Sequence, residues 1–220
     1  MKVIRNTTNF QLDKIAKTFL VCLGLFTGSL PIMANSLVFA PNGGVDSTGD
    51  FLHGVGQDVI NDYNDLDRGN NDIDNYSEVN ITNATDSLVI VSQVKAGLGR
   101  GNKSSVNQVG VSNTAIVGQI GSGNIAYINQ EGDGNAAAIG QLGTRSEALI
   151  NQDGNNNLAV IGQANMLYPS SKLSVNQEND NNIAFVAGSG GADLGISQDG
   201  GDAAIVNASG AMRIYINQTN

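Results

Sequence analysis

Side-chain amides are the chemical groups that recur most regularly in this sequence. Between Ser105 and Gln163 a glutamine returns every eleven residues, and six residues before each glutamine stands an asparagine or a serine. An amide both donates and accepts hydrogen bonds, so amides stacked at a fixed period can bond to one another in a ladder. The chemistry that this spacing predicts is therefore repeated hydrogen bonding rather than bond making.

Residue types that catalyse reactions are sparse. The only cysteine, Cys22, lies in an N-terminal apolar run, and the only histidine is His53. The aspartates of 62–74 supply oxygens for calcium, but no glycine stands at the sixth position of a suitable loop, as an EF-hand requires. We therefore predict no catalytic, cofactor-binding or metal-binding residues, no cofactor and no enzymatic activity.

The residues between the amides alternate as in a β-strand. Side chains two apart share one face of a strand, so Asn124, Ala126, Ile128 and Gln130 point the same way. Glycine recurs two residues after the glutamine, where a tight arc favours a positive φ. Because the pattern lacks the 3.6-residue period of a helix, we predict strand–arc–strand units.

The same register extends from Ser87 to Gln218 and defines two sets of inward side chains. The inward ladder, predicted to drive self-assembly, consists of Gln93, Asn102, Gln108, Asn113, Gln119, Asn124, Gln130, Asn135, Gln141, Ser146, Gln152, Asn157, Gln163, Ser171, Gln177, Asn182, Gln198 and Gln218. The inward core consists of Ala115, Val117, Ala126, Ile128, Ala137, Ile139, Ala148, Ile150, Ala159 and Ile161.

The remaining side chains of each strand are predicted to point outward. Outward Ile116, Tyr127, Leu149 and their equivalents would form an adhesive surface, or they reflect only the strand preference of branched and aromatic residues. We predict that the inward glutamines matter more for assembly than an outward asparagine such as Asn129.

A second regularity doubles the repeat. The residue before each glutamine alternates between asparagine and glycine, as in Asn107, Gly118, Asn129 and Gly140, so alternate strands occupy two environments. We predict an all-β fold, a β-solenoid of strand–arc–strand rungs with two parallel sheets. Twelve strands would give about six rungs of 22 residues, roughly 29 Å of stack at a strand spacing of ~4.8 Å.

The chain divides into three predicted regions. Residues 1–34 form a signal peptide, with four basic residues, the apolar run Thr18–Leu30 and cleavage favoured after Ala34 over Ala40; an uncleaved anchor is the alternative. Residues 35–80 form a flexible acidic leader with a candidate terminal strand at Asn75–Ile81, and 81–220 form the solenoid.

Charge and edges limit the partners. Removing 1–34 leaves 7 basic and 19 acidic residues (11 − 4 and 20 − 1), a net charge of −12, which opposes binding to nucleic acid or anionic lipid. We predict no nucleic acid as a specific ligand and no insertion into a bilayer. An uncapped stack leaves two open strand edges, each of which can template another chain. We expect such an edge at the last predicted strand, Met212–Gln218.

The unit Gln-x-Gly-x-x-Asn-x-Ala-x-Ile-x-Gln, present at 119–130 and 130–141, resembles the curlin repeat of bacterial curli fibres. The resemblance covers 87–218. It implies secretion by a Gram-negative bacterium through an outer-membrane pore with accessory factors. It also implies assembly with other curlin subunits into an extracellular functional amyloid at the cell surface, where such fibres serve adhesion and biofilm formation.

The resemblance further implies either a major fibre subunit or a minor, nucleating subunit. Near the C-terminus Gly188 and Ala208 replace glutamine, while Ala192, Asp202 and Met212 replace asparagine. This drift favours the minor subunit, with nucleation or attachment predicted at Met212, Arg213, Ile214, Tyr215 and Ile216. The major subunit stays an alternative, as does a soluble β-solenoid adhesin or ligand-binding protein.

Overall fold

The computed structural model describes residues 55–68, 74–166 and 170–219. The predicted signal peptide and most of the predicted leader lie outside the described residues. Within these described ranges the elements are one helix and thirteen strands. They are α1 (Gln57–Arg68), β1 (Tyr76–Thr82), β2 (Leu88–Lys95), β3 (Lys103–Val109), β4 (Thr114–Ser122), β5 (Ile125–Glu131), β6 (Ala136–Thr144), β7 (Glu147–Asp153), β8 (Leu158–Asn165), β9 (Lys172–Glu178), β10 (Ile183–Ser189), β11 (Asp193–Asp199), β12 (Ala203–Ser209) and β13 (Arg213–Thr219).

The strands form two parallel sheets. Odd-numbered strands make a seven-stranded sheet in the order β1-β3-β5-β7-β9-β11-β13, and even-numbered strands make a six-stranded sheet from β2 to β12. Equivalent residues pair across each step, as Gln119 pairs with Gln141 and Gln130 with Gln152. The chain therefore winds as a β-solenoid of about six turns, which confirms the predicted fold class.

The core lies between the two sheets and is made of small and branched aliphatic side chains. Val117, Ile128, Ile139 and Ile150 are fully buried there, in one cluster with the alanines that precede them in each strand. Alternation explains this arrangement, because the side chains at every second position of both sheets face the same narrow space.

Glycines in the arcs are required where successive turns touch. Gly121 has a φ of 128°, and a Cβ at this position would lie 1.7 Å from the carbonyl oxygen of Gly143 in the next turn. A side chain cannot fit at that distance, so only glycine permits the arcs to stack at the spacing of the strands.

The helix α1 occupies sequence that we predicted to be a flexible leader, whereas β1 lies at the candidate terminal strand predicted at Asn75–Ile81. Strand β1 adds a thirteenth strand beside β3, and α1 packs on the outer face of the seven-stranded sheet. The buried apolar residues of α1 are Val59, Tyr63 and Leu66, one helical face at i, i+4 and i+7, and the partly buried Ile60 packs beside them. This face is short and surrounded by acidic and amide residues, which is why composition alone predicted no helix here.

Candidate functional site

The inward glutamines form a continuous hydrogen-bonded column in the seven-stranded sheet. In each step the side-chain Nε2 donates to the Oε1 of the next glutamine. The distances are 2.7 Å for Gln108–Gln130, 2.8 Å for Gln130–Gln152, 2.9 Å for Gln152–Gln177, 2.9 Å for Gln177–Gln198 and 3.0 Å for Gln198–Gln218. All donors point toward the β13 end, so the column has a direction.

The column in the six-stranded sheet is shorter. Gln93 donates to Gln119, Gln119 to Gln141 and Gln141 to Gln163, at 2.7–2.8 Å. It stops at Gln163, which instead donates to the hydroxyl of Ser171, because the next register positions hold Gly188 and Ala208. The two sheets therefore differ at the β12–β13 end.

Each glutamine also ties the two sheets together. The Nε2 of Gln119 donates to the carbonyl oxygen of Lys103 at 2.9 Å, and the Nε2 of Gln141 donates to that of Ile125 at 2.9 Å. Both carbonyls belong to the first residue of the preceding strand in the opposite sheet. A single amide thus satisfies one partner along the stack and one across it, which suits a buried polar group.

The inward asparagines hold the arcs in register. The backbone N–H of Asn135 donates to the Oδ1 of Asn113 at 2.9 Å, and that of Asn157 donates to the Oδ1 of Asn135 at 3.0 Å. The Nδ2 of Asn135 closes the arc by donating to the carbonyl oxygen of Gly154 at 2.7 Å. Asp202 keeps part of this arrangement, since its N–H donates to Asn182 Oδ1 at 3.1 Å.

The residues predicted for the ladder and the core occupy the interior through most of the stack. Gln119, Gln130 and Gln152 are fully buried, as are Asn124 and Asn135. The ten predicted core residues all belong to the cluster between the sheets. Gln93, the first glutamine of the six-stranded column, and Gln218, the last of the seven-stranded column, are only partly buried.

The outer face of the seven-stranded sheet is not the open surface that we expected. Tyr127 and Leu149 point outward, yet α1 covers them, and they form an apolar cluster with Val59, Tyr63 and Leu66. Tyr63 also donates to the Oε2 of Glu147 at 2.5 Å. An adhesive role for these two outward residues is excluded while α1 is docked.

Polar contacts complete the docking of α1. The Nζ of Lys103 donates to the carbonyl oxygen of Leu66 at 3.1 Å, at the C-terminal end of the helix where a cation is favoured. The Tyr127 hydroxyl donates to Asp62 Oδ2 at 3.3 Å. Burial, with the negative charge of Asp62 as the next cause, raises the pKa of the Tyr127 phenol above its ordinary value.

A second amide column on this outer face was also missed. Asn129 donates to Asn151 at 2.9 Å, Asn151 donates to Asn176 at 2.8 Å, and all three side chains are buried. The recurring Asn-Gln pairs were the signal for it, but outward positions were expected to be solvated. Asn129 is therefore unsuitable as a neutral control for Gln130.

The predicted terminal segment lies at the last described strand of the seven-stranded sheet. Ile214 and Ile216 point inward and pack against the core, while Arg213 is exposed. Tyr215 is half-buried on the outer face, and its burial raises the pKa of its phenol. Among the described strands none pairs with the outer side of β13, so within the described part of the chain this edge is open.

Comparison with known proteins gives one family. The curlin associated repeat matches residues 99–132 and 110–143, which together span about one-fifth of the 220 residues. These residues contain the two repeat units at 119–130 and 130–141 and support the curlin family. No curated protein and no solved structure matches the chain.

Two further observations concern the membrane and metal ions. The helix of the described ranges is too short and too polar to cross a membrane. Within those same ranges no group of three or more histidine, cysteine or acidic side chains is placed to hold a metal ion.

Proposed function

We propose that this chain is a secreted structural subunit of extracellular curli-type amyloid fibres. The observation that carries the proposal is the directional glutamine column of the seven-stranded sheet, which runs from Gln108 to Gln218 and reaches an open edge. An open parallel edge presents unpaired backbone groups that another strand can satisfy. The match to the curlin associated repeat supports the same class of structural protein.

The proposal includes the route and the regions of the chain. Residues 1–34 direct secretion and are removed, 35–80 form the leader, and 81–220 form the assembling solenoid, with the inward ladder as the self-assembly element. Export uses an outer-membrane pore with accessory factors of a Gram-negative host, and the partners are other curlin subunits at the cell surface.

Within this class we propose the minor, nucleating role, because the two ends of the stack differ. A major subunit that only propagates itself gains from identical columns in both sheets. Here the six-stranded column ends at Gln163, whereas the seven-stranded one continues to Gln218. An end that keeps one column and loses the other is suited to starting a fibre of a more regular subunit.

The test is assembly of the purified chain, followed by amyloid-dye fluorescence and electron microscopy. We expect fibres, and we expect a small amount of the chain to shorten the lag of a more regular repeat protein from the same genome. A variant lacking 192–220 should seed poorly while its central turns stay folded. A chain that stays monomeric for days and binds no dye would instead favour a soluble adhesin, and one that assembles without seeding would favour a major subunit.

A further inference from the structure

We propose that β1 is an exchangeable cap, and that β13 of a second copy of this chain replaces it on β3. This inference rests on the proposed function, because it concerns how copies join. It starts from a buried atom: within the described part of the chain, the Oε1 of Gln108 has no hydrogen-bond partner although its side chain is only 1% exposed.

The orphaned oxygen faces β1, and β1 cannot satisfy it. Donors in this column point toward β13, so the donor for Gln108 must come from the strand on its other side. That strand is β1, and the residue in register with Gln108 is Ile81. An isoleucine side chain has no donor, and a buried acceptor without a partner is costly.

The end of the same column offers the missing donor. Gln218 lies at the open edge of β13, where its Nε2 makes only a long contact of 3.3 Å to the carbonyl oxygen of Ala203 among the described residues. If β13 of one copy took the place of β1 in another, in the register that both strands already use, Gln218 would lie beside Gln108. The column would then continue through the junction in its own direction.

The number of strands requires the same exchange. Successive strands alternate between sheets, so each arc advances the chain by half a strand spacing. The first and last described strands, β1 and β13, both belong to the seven-stranded sheet. If β1 of a second copy stacked directly on β13, the six-stranded sheet would lack one strand at the junction. With β1 of the second copy removed, its β3 follows β13 of the first copy, its β2 follows β12 of the first copy, and both sheets are continuous.

Other contacts of β1 can be reproduced by β13. The Nε2 of Gln93 donates to the carbonyl oxygen of Tyr76 at 3.0 Å, and the carbonyl of Arg213 would take that place. The outward Asn80 donates to Asn107 at 3.1 Å, and Asn217 would do the same. The exchange thus keeps the cross-sheet bond and the outer amide column.

Lost contacts at Asn75 and Ser77 and one new like-charge pair oppose the exchange and explain how β1 can act as a cap. The Ser104 hydroxyl donates to that of Ser77 at 3.1 Å, and Ile214 would take the position of Ser77 without a hydroxyl. The Oδ1 of Asn75 accepts from the backbone N–H of Asn102 at 2.9 Å, and Met212 would take the position of Asn75 without an equivalent oxygen. Arg213 would also come beside Lys103, and like charges in paired positions repel. β1 is therefore retained by the single copy and displaced only when a second copy supplies the whole strand.

Crosslinking within fibres separates this arrangement from simple stacking. All chains carry Cys22→Ala. One mixture contains Asn217→Cys and Asn107→Cys chains, and the matched mixture contains Asn217→Cys and Asn80→Cys chains. Neighbouring parallel strands lie ~4.8 Å apart, a Cα separation that a disulfide can bridge. Exchange predicts disulfide-linked dimers from oxidised fibres of the first mixture and none from the second; each variant alone gives the background.

A staple tests the movement of β1 itself. The hydroxyls of Ser77 and Ser104 are 3.1 Å apart, so Ser77→Cys with Ser104→Cys can lock β1 onto β3. The oxidised protein should lose elongation and the reduced protein should regain it, whereas Ser104→Cys with Ala126→Cys, one strand further along the same inward column, should elongate in both states.

The outcomes distinguish this inference from the proposed function. Dimers from the second mixture or from neither mixture, or undiminished elongation of the stapled protein, overturn the exchange while the fibres themselves uphold the proposed function. If the unmodified chain forms no fibres, both fail.

Discussion

Replacing Gln130 by alanine should be far more damaging to the monomer than replacing a glutamine at the end of the column. The side chain of Gln130 is fully buried. It accepts from Gln108 at 2.7 Å, donates to Gln152 at 2.8 Å and donates to the carbonyl oxygen of Thr114 at 3.2 Å. In Gln130→Ala, the glutamine column of the seven-stranded sheet therefore loses a side chain that hydrogen-bonds to atoms in three neighbouring strands.

The loss of stability follows from the hydrogen-bond partners that the substitution leaves unsatisfied. Gln152 Oε1 loses its donor and Gln108 Nε2 loses its nearest acceptor, and both are buried. A buried polar atom left without its partner costs about 1–3 kcal/mol, so Gln130→Ala should lower the free energy of unfolding by about 2–6 kcal/mol. Gln218→Ala leaves its groups near solvent and should cost about 0.5–1.5 kcal/mol, the net value of one ordinary hydrogen bond.

The assay is denaturant unfolding of freshly prepared monomer, with circular dichroism as the signal and concentrations low enough to prevent assembly. Asn207→Ala is the matched control, because this outward amide is exposed and Asn207 aligns with no inward column. We expect it to change stability by less than about 0.5 kcal/mol. If Gln130→Ala and Asn207→Ala unfold at the same denaturant concentration, the glutamine column does not hold the turns together.

Three further perturbations test the arcs and the helix. Gly121→Ala should destabilise the chain strongly because a Cβ there meets backbone, whereas Gly201→Ala, with nothing within 4 Å, should cost only about 1 kcal/mol of left-handed strain; thermal unfolding compares them. Val59→Asp should release α1 and leave the strands intact, seen as faster hydrogen exchange over 57–68 only. The raised pKa of Tyr127 means that the folded state holds the phenolic proton more tightly than the unfolded state. This contribution is present below pH ~10 and is lost as the pH rises further; a pH-titrated unfolding series should show the loss, and Tyr127→Phe should abolish it.

The repeat could be predicted because its physics is local. A period of two within each strand determines which side chains face inward. Because the unit repeats in the next turn, identical side chains then lie beside one another. The twelve strands from Leu88 onward and the parallel register of residues such as Gln119 and Gln141 follow from that periodicity. The glycines of the arcs could be predicted equally well, because a backbone with positive φ favours glycine.

The helix and its docking could not be predicted in the same way. The apolar face of α1 is three side chains long, and by itself it buries too little surface to stabilise a helix of twelve residues. It becomes stable against Tyr127 and Leu149, which are 60 to 90 residues away in the chain. No local pattern reports such a contact, so the outward rows of the seven-stranded sheet were expected to be exposed.

The inward columns were determined by the sequence, because a strict period leaves one register in which amides meet amides and aliphatics meet aliphatics. The replacement of glutamine by Gly188 and Ala208 also let the sequence determine where the six-stranded column stops, but the tertiary structure alone decided how the seven-stranded column ends. Only there does β1 set Ile81 beside Gln108, leaving its buried oxygen without a donor among the described residues, while Gln218 reaches the opposite edge with its amide N–H group near solvent. The reason is that periodicity specifies what repeats along a stack, whereas the ends depend on how many strands the folded chain places in each sheet.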